Sequence, residues 1–148
     1  MAGAEGISWS VLPLVAGLFV MVEALIRTGV IARLSAALRD AVGQSAANTA
    51  LGVGLITAVA DNIANNLPVG LVAGSVAAND HLPTSVVGAM LIGVDLGPNL
   101  SVTGSLATIL WLVALRREKI DVGAWRFLKL GLLVTPPALL AALAAAIR

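Results

Sequence analysis

A long apolar stretch of this chain is broken in its middle by an acid, three amides and a proline, in ITAVADNIANNLPVGLVAG (residues 56–74). The chain as a whole is 59% hydrophobic and 11% charged, whereas soluble domains carry about 25% charged residues. A water-soluble protein this apolar would expose large sticky patches, so the composition indicates an integral membrane protein. In hydrocarbon, non-helical backbone survives only where it is buried in protein or lines a wet cavity.

A second apolar stretch repeats this design, with DLGPNLSVTGS between two short apolar halves. We call residues 61–68 the first interruption and residues 95–105 the second interruption. Pro68 and Pro98 each remove a backbone donor, so they are the expected structural breaks. Paired broken segments indicate a transporter's binding site, because freed carbonyls and helix ends bind ions and polar solutes. The candidate solute- or ion-binding residues are Asn65, Asn66, Asp95, Gly97, Asn99, Ser101, Thr103 and Ser105.

Each interruption also carries an acid, and an acid inside the membrane is a functional candidate. Asp95 is the first candidate for proton coupling. Asp61 is the second, since it can lie nearer a water-filled vestibule than the site itself. The alternative for each amide and hydroxyl is that it only joins helices by hydrogen bonds. Two clusters that each combine a proline with an acid favour a binding site.

Several function classes lack the residues they need. The chain has no cysteine and one histidine, which excludes a thiolate metal site, a cysteine nucleophile and a zinc site. We therefore predict no metal and no cofactor, and a transporter rather than an enzyme. The net charge is +1 and no basic stripe with interleaved aromatics is present, so no nucleic-acid partner is expected.

Hydropathy predicts an all-α membrane domain with the lipid bilayer as its partner. The N-terminus lacks the basic region of a signal peptide, so the first apolar segment is expected to be retained as a span. The predicted segments are a span over 8–27, an amphipathic surface helix over 30–43, broken segments over 49–79 and 86–115, and a span over 127–147.

Positive charges bear on the topology of segment 49–79. The basic loop from Arg116 to Lys129 is expected to be cytoplasmic. A single crossing by segment 49–79 puts Arg27, Arg33 and Arg39 on the same side as that loop, and a re-entrant hairpin puts them on the opposite side. Charge counting alone favours one crossing.

Three sequence runs carry a resemblance to a known family. NNLP (65–68), GVDLGPNLSVTGSLATILWL (93–112) and LFVMVEALIRTGV (18–30) together resemble the C-terminal part of bacterial arsenite efflux permeases of the ion transporter superfamily. The run from DLGP through GSLAT to LW is specific, whereas NNLP alone would be weak. The resemblance covers essentially the whole chain.

The resemblance implies the second half of an inverted-repeat transporter in the cell inner (plasma) membrane, a multi-pass protein. That half would hold about three transmembrane helices, one of them discontinuous over 86–115, a re-entrant helical hairpin over 49–79 and the surface helix. Asn65, Asn66 and Pro68 would then lie at the hairpin tip, and residues 95–105 in the break of the discontinuous helix. This resemblance, not the charge pattern, selects the hairpin.

The resemblance further implies export of arsenite or antimonite in exchange for protons, which would confer arsenical resistance. It also implies the missing N-terminal portion of the permease as a partner, and a soluble ATPase for some members. Arsenite is a neutral trihydroxy acid that amides, hydroxyls and carbonyls can bind, so the lack of cysteine is no obstacle.

Two other functions stay open. One is a sodium/proton or anion transporter of the same superfamily, although no lysine or arginine falls in either interruption to bind an anion. The other is a membrane fragment or assembly partner that does not transport.

Overall fold

A computed structural model describes residues 11–79 and 81–147 of the chain. The described residues form helices and no strand, which confirms the all-α prediction. Residues 8–10 of the first expected span lie outside the described residues. The helices are α1 (Val11–Arg27), α2 (Val30–Gln44), α3 (Ala46–Ala64), α4 (Asn66–Asn79), α5 (Thr84–Leu96), a 3₁₀ turn (Gly97–Leu100), α6 (Leu106–Arg117) and α7 (Ala124–Ala146).

Helices α1 and α2 are joined by a sharp bend of 65°. The bend falls at Gly29, whose φ of 77° favours a residue without a side chain. An ion pair of 2.8 Å between Glu23 and Arg27 lies on the last turns of α1. Helix α2 is amphipathic, because Ile31 and Ser35 are buried while Arg33 on the opposite face is exposed.

Among the described residues, length and composition alone qualify one helix as a membrane span. This helix is α7, with 23 residues. The bent pair α1–α2 also passes if it is counted as one span. Helices α4 and α5 are apolar but shorter than a span. The expected number of about three transmembrane helices is therefore met only in part by helix length.

The chain reverses its direction between α3 and α4. Val53 of α3 and Val76 of α4 line the same pocket of about 490 Å³. One continuous helix would place residues this far apart in sequence about 34 Å from each other. The two helices thus fold back on one another, with Asn65 alone between them.

Helices α3 and α5 pack closely because small residues line their contact. A Cβ atom on Gly93 of α5 would collide with the Thr57 side chain and the Gly54 carbonyl of α3. Thr57 meanwhile donates its hydroxyl proton within α3, to the carbonyl of Val53 at 2.9 Å. Close backbone approach of this kind is typical of helix packing in membranes. It fixes the register that brings the C-terminal ends of α3 and α5 together.

Helix α7 packs against α5 and α3 and contributes to the hydrophobic core. Leu139 and Leu143 of α7 are buried in one cluster with Val86 and Met90 of α5 and Ala50 of α3. Gly131 of α7 packs against the backbone of the 3₁₀ turn, where a Cβ would meet the Asn99 carbonyl at 2.9 Å. Helix α7 therefore packs both on the core residues of α3 and α5 and on the 3₁₀ turn of the second interruption.

Candidate functional site

The two polar interruptions lie against each other in the folded chain. The backbone N–H of Asn66 donates to the carbonyl of Gly104 at 2.9 Å. The Asn65 side chain donates to the carbonyl of Thr103 at 3.1 Å. Residues that are 38 positions apart in sequence are thus joined by direct hydrogen bonds. The non-helical backbone of each interruption supplies partners for the other, as an apolar environment requires.

The first interruption is built around an unusual backbone conformation at Asn65. Helix α3 ends at Ala64, and Asn65 has φ 72° and ψ 147°, a strained combination that residues other than glycine rarely adopt. Its side chain accepts a hydrogen bond from the Leu67 N–H at 3.3 Å. Pro68 lies in the first turn of α4, where a missing backbone donor costs little.

The second interruption begins where α5 ends at Leu96. A 3₁₀ turn with Pro98 near its start follows, and then residues 101–105 without regular structure. Ser105 caps α6, because its hydroxyl oxygen accepts from the Ala107 N–H at 3.2 Å. The chain therefore leaves one helix and enters the next within ten residues, and between them Asn99 and Thr103 are exposed.

Asn62 lies at the centre of the contacts between the interruptions. Its side-chain nitrogen donates to the Gly97 carbonyl at 2.9 Å and to the Ala58 carbonyl at 2.8 Å. Its side-chain oxygen accepts from the Ser101 hydroxyl at 2.6 Å. Its backbone carbonyl accepts from the Thr103 hydroxyl at 3.1 Å. One residue of α3 therefore holds three positions of the second interruption.

Two glycines allow this close fit. A Cβ on Gly97 would lie 2.6 Å from the Ala58 carbonyl oxygen, which belongs to the backbone of α3. A Cβ on Gly104 would lie 2.7 Å from Pro98 Cα and 2.9 Å from the Asn62 side-chain oxygen. Any side chain at these positions would push the interruptions apart.

The two acids differ in their surroundings. Asp61 is 0% exposed, and both of its carboxyl oxygens lack a hydrogen-bond partner among the described residues. Asp95 is exposed. The two are close enough for Asp95 to repel a charge on Asp61. A buried acid without a partner is costly, which makes Asp61 the unusual acid of the site.

The predicted site residues occupy three kinds of position. Asn65, Gly97 and Thr103 take part in the hydrogen bonds between the interruptions. Asn66 takes part through its backbone, and Ser105 acts as a helix cap. Asn99 is exposed and donates to two backbone carbonyls of its own segment, those of Asp95 and Leu96 at 3.2 and 3.1 Å.

Sequence reasoning missed the role of Asn62. The residue was visible as one of the amides of the first interruption, but nothing local distinguished it from the others. One signal was available, because residues 58 and 62 are one helical turn apart and share a face of α3. Ala58 lies against Gly97, so Asn62 on the same face points to the following residues of the second interruption.

Both interruptions lie in a part of the sequence that is free of lysine and arginine. No lysine or arginine occurs between residues 40 and 115. The described residues contain no group of three or more potential metal ligands among histidine, cysteine, aspartate and glutamate. Beside the two acids, the polar groups of the interruptions are therefore hydroxyls, amides and carbonyls.

Comparison with known proteins places this arrangement in a family. The family model described as arsenical pump membrane protein matches residues 4–147. The chain belongs to the arsenical pump membrane protein family. No solved structure matches it.

Curated members of the arsenical pump membrane protein family show the same similarity. An arsenical pump membrane protein of Escherichia coli strain K12 is 32% identical over 146 residues, which cover 95% of this chain and 34% of the relative. The Yersinia enterocolitica protein of that name is 30% identical over the same shares. An uncharacterised transporter of Mycobacterium bovis is 34% identical over 88% of this chain and 32% of its own length. The chain thus spans about a third of the length of the curated relatives it matches.

Proposed function

We propose that this chain forms the C-terminal part of a secondary transporter that exports arsenite or antimonite across the inner membrane in exchange for protons. Its membership of the arsenical pump membrane protein family supports the solute class. The observation that carries the proposal is the direct hydrogen bonding between the two interruptions, at Asn66 with Gly104 and at Asn65 with Thr103. Two such segments in contact form one polar site within an apolar molecule.

In this proposal α3 and α4 form a re-entrant hairpin whose tip is Asn65. Helices α5 and α6 are the halves of a discontinuous helix, while α1 and α7 cross the membrane. The reversal of the chain at Asn65 supports the hairpin, since α3 and α4 line a common pocket. The last turn of α6 carries Arg116 and Arg117, and the loop that follows carries Lys119. The positive-inside rule therefore favours a cytoplasmic position for this end of α6.

The solute chemistry follows from the groups that the site offers. Arsenite at neutral pH is an uncharged acid with three hydroxyl groups, each able to donate and to accept a hydrogen bond. The half-buried Asn66 side chain and the exposed Thr103 hydroxyl and Asn99 amide would bind it together with backbone carbonyls. Such contacts are weak enough to allow release, which a transporter needs.

Proton coupling is assigned to Asp61, with Asp95 as the acid that modulates it. Charging a carboxyl group costs several kcal/mol in a dry site and little in a hydrated one. A fully buried, unpartnered carboxyl group such as Asp61 therefore exchanges its proton when the transport cycle changes its access to water.

The proposal is tested in a chimera, defined as the Escherichia coli strain K12 relative with its matching segment replaced by this chain. We expect the chimera to protect arsenite-sensitive cells, and Asn66→Ala or Asp95→Asn to reduce protection by about tenfold or more, the equivalent of one or two lost hydrogen bonds to a charged or polar group. The measurement is growth against arsenite concentration at equal membrane protein level.

Matched controls are Asn48→Ala and Asp40→Asn, which change an exposed amide in the first turn of α3 and an exposed acid on α2. Both should protect like the unsubstituted chimera. Full protection by Asn66→Ala and Asp95→Asn would refute the site, and no protection by the chimera itself would refute the function.

A further inference from the structure

The orientation of the Asn62 side-chain amide is determined by its partners. Two of its contacts, at 2.8 and 2.9 Å, are to the carbonyl oxygens of Ala58 and Gly97, which can only accept. The nitrogen must face these carbonyls, so both of its protons are used. The oxygen then faces Ser101, and it can only accept.

This orientation fixes the direction of two hydroxyl groups. The Ser101 hydroxyl lies 2.6 Å from the Asn62 oxygen and must donate its single proton there. The Thr103 hydroxyl has two possible acceptors, the Asn62 carbonyl and the Ser101 oxygen, both at 3.1 Å. In either case its proton points inward, so both hydroxyls present only lone pairs to the space around them.

We propose that Asn62 is a positioning residue that sets the polarity of the site, by holding the protons of Ser101 and Thr103 so that these oxygens can only accept hydrogen bonds from a solute. This inference rests on the proposed function only in taking the space beside these hydroxyls as the solute site. Asn62 itself does not contact the solute and acts on it through the two hydroxyls.

Two further groups of the second interruption share this polarity. Both protons of the Asn99 amide nitrogen are used, on the carbonyls of Asp95 and Leu96, which leaves its oxygen as an acceptor. The Asp95 carboxylate is exposed and accepts only. No lysine or arginine lies between residues 40 and 115 of the sequence. The second interruption thus favours solutes that donate hydrogen bonds to it, such as neutral polyhydroxy acids, over anions.

The polarity can be tested without transport, because the chain has no cysteine of its own. In the full chain in lipid vesicles, Ser101→Cys places a thiol beside the Asn62 oxygen. Only the thiolate reacts with iodoacetamide, and an acceptor oxygen at hydrogen-bond distance disfavours the thiolate. We expect Asn62→Leu to speed labelling of this cysteine by about tenfold, because loss of the acceptor oxygen should make the reactive thiolate about ten times more abundant.

Two controls separate polarity from simple opening of the site. Asn62→Asp keeps an acceptor oxygen beside the thiol. The cysteine at position 101 should therefore be labelled no faster with Asn62→Asp than with Asn62 present. Ser105→Cys, outside the Asn62 contacts, should label at one rate in all three backgrounds. Slower or unchanged labelling of Ser101→Cys in the Asn62→Leu background would overturn the proposal. A complete lack of labelling of Ser101→Cys in every background would also overturn it, because position 101 would then not face an open site.

A transport measurement keeps this inference distinct from the proposed function. In the chimera, Asn62→Leu should raise the KM for arsenite by about tenfold at little cost in maximal rate, and adding Ser101→Ala should change KM little further, since the two act through one hydroxyl. A chimera that fails to transport arsenite refutes the proposed function, while the labelling result still decides the polarity.

Discussion

Replacing Asp61 with asparagine should abolish concentrative arsenite export by the chimera and leave downhill arsenite exchange intact. The amide has nearly the shape of the carboxyl group but cannot carry a proton through the cycle. Coupling to one proton at a membrane potential near 120 mV supplies about 2.8 kcal/mol, or a gradient of about 100-fold. We therefore expect the steady-state arsenite gradient across everted vesicles to fall by about that factor.

The same substitution carries an internal control for folding. Because the Asp61 oxygens have no hydrogen-bond partner among the described residues, Asp61→Asn breaks no hydrogen bond, and it exchanges one unpartnered buried polar group for another. It should therefore leave the thermal unfolding midpoint nearly unchanged. Asp40→Asn on the exposed face of α2 should leave both the gradient and the midpoint unchanged. A full arsenite gradient in Asp61→Asn would exclude Asp61 as the proton carrier.

Replacing Gly97 with alanine should lower the stability of the chain strongly. The added methyl would lie 2.6 Å from the Ala58 carbonyl oxygen and 2.8 Å from the Ala58 Cβ. These atoms belong to the packed helix α3 and cannot move alone. Overpacking of this kind costs about 1–3 kcal/mol and occasionally more. The shift would also stretch the hydrogen bond from Asn62 to the Gly97 carbonyl.

Gly88→Ala is the matched control for this substitution. Gly88 lies on α5, and a Cβ added there meets nothing within 4 Å. Gly97 has φ −53° and ψ −45°, so alanine is compatible with its backbone and only the contact with α3 differs. Unfolding followed by tryptophan fluorescence in detergent should give a clearly lower midpoint for Gly97→Ala. Equal midpoints for the two variants would contradict the close packing of the second interruption on α3.

The sequence located both interruptions because their polar residues stand out against an apolar chain. The exact position of the break in the first interruption was not predicted, because Pro68 was expected to mark it. The helix ends at Ala64, four residues before Pro68 of α4, because Asn65 adopts a positive φ. A proline in a first helical turn disrupts nothing, so the local pattern could not separate these two positions.

The relation between the interruptions depended on tertiary contacts that no local pattern contains. Gly93 and Gly97 let α5 approach α3 closely, and this register brings Asn62 to the second interruption. The choice between the two acids as proton-coupling candidates also depended on burial, which a local sequence pattern does not reveal. Asp95 and Asp61 look alike in sequence, yet only Asp61 is fully buried.

The central claim is that the two interruptions form one site within the membrane. Cross-linking in native membranes tests it most directly, because the chain has no native cysteine. Asn65→Cys with Thr103→Cys joins positions that are hydrogen-bonded at 3.1 Å. Asn65→Cys with Thr84→Cys is the control, since Thr84 begins α5, about 18 Å along the helix from its break.

We expect a short bifunctional thiol reagent to join positions 65 and 103 nearly completely and to leave the control pair unjoined. Absence of a 65–103 cross-link, with both cysteines shown to be reactive, would contradict the contact between the interruptions and with it the proposed site.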